Sequence, residues 1–83
     1  MMTVQVRMFA RARDLAGVDR VSLTLRDGAT AGDLKQALIE QYPALAGLVQ
    51  RSALAVDNEF ASQATPLFAR TEIALLPPVS GGQ

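Results

Sequence analysis

The stretch that decides the fold runs from Arg20 to Gln41 and reads RVSLTLRDGATAGDLKQALIEQ. Its first part alternates polar with apolar side chains, the apolar ones being Val21, Leu23 and Leu25. This alternation predicts a β-strand with one buried face. The dipeptide Asp27-Gly28 then predicts a turn, so the chain changes direction before the next element.

The second half of this stretch predicts the main helix. Thr30, followed by Asp33, resembles a capping box with aspartate in place of glutamate, and the acidic side chain suits the positive end of the helix dipole. Leu34 and Leu38 follow helical spacing and are expected to face the sheet. Pro43 disfavours helical geometry in the residue before it, which limits the helix at about that point.

The residues before this stretch predict another strand and a short helix. The apolar residues Val4, Val6 and Met8 again alternate with polar ones. Phe9 breaks this alternation and is expected on the opposite face or at the strand end. Ala10–Ala16 is rich in alanine and arginine, and Gly17 is a suitable C-cap, so a short helix is predicted there.

The residues after the main helix predict further extended segments. We expect a short turn at Ala44–Val49, a third strand at Ala53–Val56 and the last strand at Thr71–Leu76. Asp57–Glu59 has turn chemistry, and Phe60-Ala61 is expected to begin a short return strand. Two strands, a main helix and later strands predict an α+β two-layer sandwich. Periodicity alone does not place the last strand in the sheet.

The composition excludes several classes of function. The chain has 83 residues, enough for one domain, and it has no cysteine and no histidine. Thiol nucleophiles, disulfides, the commonest metal ligands and the usual general base are therefore missing, and neither a metal nor a permanently bound cofactor is expected. Eight basic residues balance eight acidic ones, so no net field favours nucleic acid or an anionic membrane. Such a composition argues against a self-sufficient enzyme.

Targeting signals are not apparent in the sequence. No segment approaches the roughly 18–20 apolar residues that span a bilayer. The first residues lack the basic flank and apolar run of a signal peptide. A cytoplasmic location is therefore the default expectation.

The C-terminal segment Pro77–Gln83, PPVSGGQ, is the candidate functional part. Pro77 and Pro78 fix φ and lack a backbone N–H, so they stop the last strand and project the chain away from the fold. Gly81 and Gly82 have no Cβ and can pass through a channel too narrow for side chains. We therefore expect a domain at 1–76 and an extended tail at 77–83 that presents a carboxyl group to another protein.

Both ends of the chain resemble one known family. Met8–Gly17, MFARARDLAG, resembles the FFA-x-x-R-E-L-x-G opening of the small subunits of molybdopterin synthase. Leu75–Gly82, LLPPVSGG, resembles their Φ-Φ-P-P-V-[ST]-G-G ending, where Φ is apolar. The resemblance covers residues 3–82 and implies a ubiquitin-like β-grasp fold, with a mixed sheet of four to five strands packed on one main helix.

The resemblance also implies a sulfur-carrier role. In the family, a ubiquitin-activating-type adenylyltransferase consumes ATP to convert the terminal glycine carboxylate, here that of Gly82, into an acyl-adenylate. Sulfur from a persulfide donor then displaces AMP and leaves a thiocarboxylate. The loaded tail enters the large subunit, in a heterotetramer of two small and two large subunits, and donates sulfur to cyclic pyranopterin monophosphate. Two deliveries build the dithiolene of molybdopterin, and the chain is a sulfur-donor subunit active only with the large subunit.

The resemblance assigns roles to individual residues. Gly82 would carry the adenylate and the thiocarboxylate, and the residues that give access are Gly81, Ser80, Val79, Pro78 and Pro77. Six extended residues reach on the order of 20 Å. Three apolar residues outside the alternating core sets are candidates for partner binding, namely Phe9, Phe60 and Leu76. The alternative is that these three complete a small core.

Gln83 departs from the family pattern, which normally ends at the second glycine. A side chain beyond Gly82 is expected to block both adenylation and channel entry. Either a peptidase removes Gln83, or it is not part of the natural chain, or this chain is not loaded in the usual way.

Two other functions suit a tail of this kind. A ubiquitin-like modifier would form isopeptide bonds between Gly82 and target lysines, and a different sulfur carrier would serve thiamine or thiolated tRNA synthesis. The Pro-Pro-Val-Ser approach and the opening motif favour molybdopterin synthase over the other sulfur-carrier pathways. Double duty as carrier and modifier stays open.

Overall fold

The computed structural model describes residues 1–78 of the chain. Its strands are β1 (Met2–Met8), β2 (Arg20–Leu25), β3 (Ala53–Val56), β4 (Glu59–Phe60) and β5 (Glu72–Leu76). Its helices are α1 (Ala10–Ala16), α2 (Ala31–Gln41) and α3 (Ala46–Arg51), with a 3₁₀ turn at Pro43–Leu45 before α3. Within this range, no helix has the length and apolar character that crossing a membrane requires.

The described strands form one mixed sheet in the order β2-β1-β5-β3-β4. β1 pairs with β2 in antiparallel fashion and with β5 in parallel, whereas β3 runs antiparallel to both β5 and β4. The last strand, which periodicity could not place, therefore lies at the centre of the sheet. This position fixes the point at which the C-terminal segment leaves the fold.

The core lies between one face of the sheet and the helices. Alternate residues of β1 and β2 are buried, as the sequence pattern predicts. Leu34 and Leu38 of α2 are fully buried in the same apolar cluster, together with Ile73 and Leu75 of β5. Packing on this face leaves the other face of the sheet, which we call the outer face, free of any helix among the described residues.

The start of α2 is fixed by a capping box, as predicted. Asp33 Oδ2 accepts hydrogen bonds from the Thr30 backbone N–H at 2.9 Å and from the Arg26 guanidinium at 3.1 Å, and Thr30 Oγ1 accepts one from the Asp33 N–H at 3.3 Å. The Thr30 N–H and, after it, Arg26 lower the pKa of the Asp33 carboxyl. The first helical N–H groups are also bonded, because Ala31 donates to the Thr65 carbonyl and Gly32 to that of Gln63. This helix end is therefore already satisfied by the protein itself.

Two local elements differ from the sequence expectation. Asp57 and Asn58 have φ of 51° and 70° and form a two-residue turn of the I′ type, so the return strand begins at Glu59 rather than Phe60. The turn expected at Ala44–Val49 continues as α3 as far as Arg51. Sequence patterns are least informative at such ends, because one backbone hydrogen bond moves the boundary.

Candidate functional site

The outer face of the sheet carries a row of side chains that crosses all the described strands. Phe60 of β4 is paired with Ala55 of β3, which is paired with Ala74 of β5. Ala74 is in turn paired with Arg7 of β1, and Arg7 with Arg20 of β2. Paired residues in a sheet point to the same face. The row is therefore apolar at the β4 side and basic at the β2 side.

An apolar pocket of about 340 Å³ lies over the apolar part of this row. Ala55 and Ala74 line the middle of the pocket, where their small side chains leave space above the sheet. Phe60 lies at one side and Phe9 at the other, and Leu76 lines the pocket where β5 ends. The three apolar residues predicted for partner binding thus line one pocket.

Local structure explains how Phe9 reaches this pocket. β1 ends at Met8, and Phe9 is still extended, with φ −126° and ψ 154°, when α1 begins after it. The Arg7 guanidinium carbon lies 5.2 Å from the centroid of the Phe9 ring, within the range of a cation–π contact. Arg7 and Phe9 thus contact each other at the edge of the pocket that both of them line.

The three predicted partner-binding residues do not belong to the buried core. Phe60 is 79% exposed and Phe9 is 36% exposed, and Leu76 is half-buried. Leaving a phenylalanine in water is unfavourable by roughly 1.5–3 kcal/mol relative to burying it. Their shared pocket suits an apolar side chain from another protein, and partner binding by these residues stays a prediction.

The root of the predicted tail lies beside the pocket. Leu76 is the last residue of β5, Pro77 after it is half-buried, and Pro78 is exposed. The other residues predicted to give access or to carry the chemistry lie outside the described residues, namely Val79, Ser80, Gly81 and Gly82. Gln83 also lies outside them. The roles assigned to these five residues stay predictions.

The sequence did not single out several other residues that line the pocket, among them Ala55, Ala74 and Arg7. Ala55 and Ala74 have no chemistry that would single them out, and an alanine facing outward in a strand cannot be told from one that fills a core. The sequence pattern marks Arg7 only as a polar residue that alternates with the apolar residues of the first strand. Small residues at outward positions of two strands could have indicated the pocket. This pattern becomes informative only when the two strands are known to be neighbours in the sheet.

Known proteins that resemble the chain include a sulfur carrier subunit and a small archaeal modifier protein. The model of the ThiS family matches residues 6–82. A curated relative, the molybdopterin synthase sulfur carrier subunit of Chlamydomonas reinhardtii, is 34% identical over 98% of this chain and 100% of its own length. These matches cover nearly all of the residues that the structure describes.

Solved structures agree with this placement. The crystal structure of SAMP1, small archaeal modifier protein 1, from Haloferax volcanii has a TM-score of 0.85 at 30% identity, covering 96% of this chain and 99% of that one. A complex of subunits 1 and 2 of the molybdopterin-converting factor from Helicobacter pylori has a chain that matches with a TM-score of 0.69 at 26% identity, covering 98% of this chain and 100% of that one. These structures confirm the ubiquitin-like β-grasp fold.

Proposed function

The chain belongs to the ThiS family, and from this membership we propose that it is the sulfur-carrier subunit of a molybdopterin synthase. The observation that carries the proposal is the full-length similarity to proteins named as such, in a match that runs through Gly82. Its composition agrees with this role, because a chain without cysteine and histidine has no thiol or imidazole of its own to move sulfur.

The proposed chemistry takes place at the carboxyl group of Gly82. An activating enzyme transfers AMP from ATP to this carboxylate, and pyrophosphate leaves. The outer sulfur of a persulfide donor then attacks the acyl carbon and displaces AMP, which forms an acyl disulfide. A thiol reduces this acyl disulfide, so that the donor sulfur leaves as a disulfide with that thiol and the thiocarboxylate is released. The sulfur of the thiocarboxylate adds to the cyclic pyranopterin monophosphate and forms a thioester with Gly82. Water then hydrolyses the bond between this sulfur and the carbonyl carbon of Gly82, which leaves the sulfur on the pterin and restores the carboxylate. Activation is needed because a free carboxylate is a poor electrophile, whereas the acyl-adenylate has a good leaving group.

The large subunit is the proposed receptor of the tail. The complex of subunits 1 and 2 from Helicobacter pylori supports such a partner. In this chain, the apolar pocket lies next to Leu76, the last residue of β5, so a partner that covers the pocket also meets the root of the tail. We propose that Phe9, Phe60 and Leu76 contact the large subunit while Pro77–Gly82 enters its active site.

Intact mass spectrometry tests the carrier function. The chain ending at Gly82 is incubated with its activating enzyme, ATP and a persulfide donor, and the full chain ending at Gln83 serves as the matched control. The expected result is the replacement of one oxygen by one sulfur in the first chain only. An unchanged mass for the chain ending at Gly82, with an activating enzyme that loads another carrier, would contradict the proposal.

A second candidate function is protein modification. The similarity to small archaeal modifier protein 1 favours it, because that structure aligns over nearly the whole chain. The same incubation distinguishes the two functions in a cell extract, since a modifier produces higher-mass conjugates on other proteins. Conjugation of one copy of the chain to another is disfavoured. Its only lysine, Lys35, already donates a hydrogen bond of 2.6 Å to the Ser52 carbonyl.

A further inference from the structure

A second groove on the outer face is bordered by three arginines, Arg7, Arg20 and Arg70. Its volume is about 340 Å³, and its other exposed or half-buried residues are Thr3, Gln5, Thr71 and Glu72. We call it the arginine groove. It adjoins the apolar pocket, because Arg7 and Glu72 line both.

Within residues 1–78, the three arginines of this groove form no ion pair. The ion pairs in this range join the N-terminus to Asp27 and Arg26 to Asp33, so no carboxylate lies within 4.0 Å of the three guanidinium groups. Arg7 and Arg20 are also direct partners across β1 and β2. Like charges directly opposite each other destabilise a sheet. The fold therefore keeps a repulsive pair that its own stability does not require.

Arg70 adds a second unfavourable feature at the same place. Its φ is 70°, in the left-handed region that favours glycine and is unfavourable for an arginine. Residues held in such conformations concentrate at functional sites. A glycine would relax the backbone here but would remove the third positive charge of the groove.

The spacing of the charges indicates the kind of ligand. Gln5 is paired with Glu72 in the parallel register, and Arg70 lies in the turn that precedes β5. Arg70 and Thr3 both line the groove before this pair, whereas Arg7 lies two residues beyond it along β1. Thr3 and Arg7 are about 13 Å apart along the strand. The positive charges are therefore distributed along the groove, and the carboxylate of Glu72 among them disfavours a single small anion. Several carboxylates spread over a protein surface match this arrangement better.

We propose that the arginine groove binds an acidic surface of the large subunit, beside the apolar pocket that binds its apolar side chains. This inference rests on the proposed function, since it concerns the partner that receives the tail. Charges at the rim of an interface mainly raise the association rate and set its salt dependence. The groove would therefore guide the carrier to the large subunit, while the apolar pocket holds it there.

Binding kinetics with the purified large subunit test the proposal. The triple variant Arg7→Gln, Arg20→Gln, Arg70→Gln is compared with the unmodified chain between about 0.05 M and about 0.5 M salt, where screening becomes nearly complete. The matched control is Arg11→Gln, Arg13→Gln, Arg51→Gln, which removes the same charge from other parts of the surface. A lysine triple variant at the three groove positions keeps the charge.

The proposal gives a distinct result for each variant. At low salt the groove variant should associate about tenfold more slowly, and the difference should vanish at high salt. The control triple and the lysine triple should stay within about threefold of the unmodified chain. Because the groove variant also removes the Arg7–Arg20 repulsion, its melting temperature should not fall, which shows that the variant is folded.

Three other outcomes would overturn the proposal, and they are distinguishable. Equal slowing of the groove and control triples means that net charge alone acts. Slower loading by the activating enzyme, with unchanged binding to the large subunit, assigns the groove to a different partner and leaves the proposed function intact. If the unmodified chain does not bind the large subunit at all, the proposed function fails together with this inference.

Discussion

Replacing Phe60 by alanine is expected to weaken binding of the large subunit while leaving the fold stable. Phe60 is 79% exposed. With about 200 Å² for a phenylalanine, roughly 160 Å² is available to a partner. Covering this area is worth about 4 kcal/mol at about 25 cal/mol per Å². Association costs reduce this figure, and aromatic anchors of interfaces commonly retain at least about 2 kcal/mol, which is about 30-fold in Kd.

The chain offers a matched control for this variant. Phe68 is 67% exposed but does not line the apolar pocket, so Phe68→Ala removes a similar side chain from a different surface. Calorimetric titration of the large subunit with each variant gives Kd, and urea denaturation gives the free energy of unfolding. Both variants should unfold within about 0.5 kcal/mol of the unmodified chain, because neither ring is buried.

Three results would contradict this prediction. If Phe60→Ala binds the large subunit as tightly as the unmodified chain, the apolar pocket is not the contact surface. If Phe68→Ala weakens binding as much as Phe60→Ala, the loss reflects general exposure of apolar surface. A loss for Phe60→Ala accompanied by marked destabilisation would show that the ring supports the fold, contrary to its exposure.

Three further predictions concern other parts of the chain. Hydrogen bonds from Thr30 and Arg26 lower the pKa of Asp33 from 3.8, so its ionised form stabilises the folded state above that pH, and the contribution is lost as the pH falls through the lowered value. Asp33→Asn should therefore lower the melting temperature at pH 7 but not in strong acid, as thermal unfolding across pH measures. Arg70→Gly should raise the free energy of unfolding by about 0.5–1 kcal/mol in urea denaturation and slow association with the large subunit. Deleting Gly82 and Gln83 should abolish sulfur loading by intact mass yet leave thermal unfolding unchanged, and a clear loss of stability would contradict the separation of fold from chemistry.

Local elements of the fold follow from the sequence because their causes are local. The short helix was predicted at Ala10–Ala16 with Gly17 as its C-cap, and the structure has these bounds, with Gly17 at φ 78°. The capping box of Thr30 and Asp33 likewise fixes the start of α2. In both cases, residues within one helical turn of each other determine the hydrogen bonds that begin or end the helix.

The arrangement of the site does not follow from the sequence in the same way. Phe9 and Phe60 are far apart in the chain, and they share a pocket because β5 inserts between β1 and β3. Parallel pairing of the first and last strands depends on long-range packing that no local pattern encodes. The resemblance of both chain ends to one family identified Phe9, Phe60 and Leu76 as candidates, whereas Ala55 and Ala74 became visible only through the register.

The division of the outer face suits the delivery of a reactive tail that we propose for this domain. Within residues 1–78, the helices cover one face of the sheet, and the apolar part of the other face follows β5, β3 and β4, next to Leu76. A partner bound there holds the root of the tail, and six extended residues reach at most about 20 Å from it. Entry of Gly82 into the partner then becomes an intramolecular step with a high effective concentration. The pocket therefore affects the chemistry only by holding the tail within reach of the partner. Weakening the pocket should slow the delivery of Gly82 without altering the reactivity of a tail that has already entered.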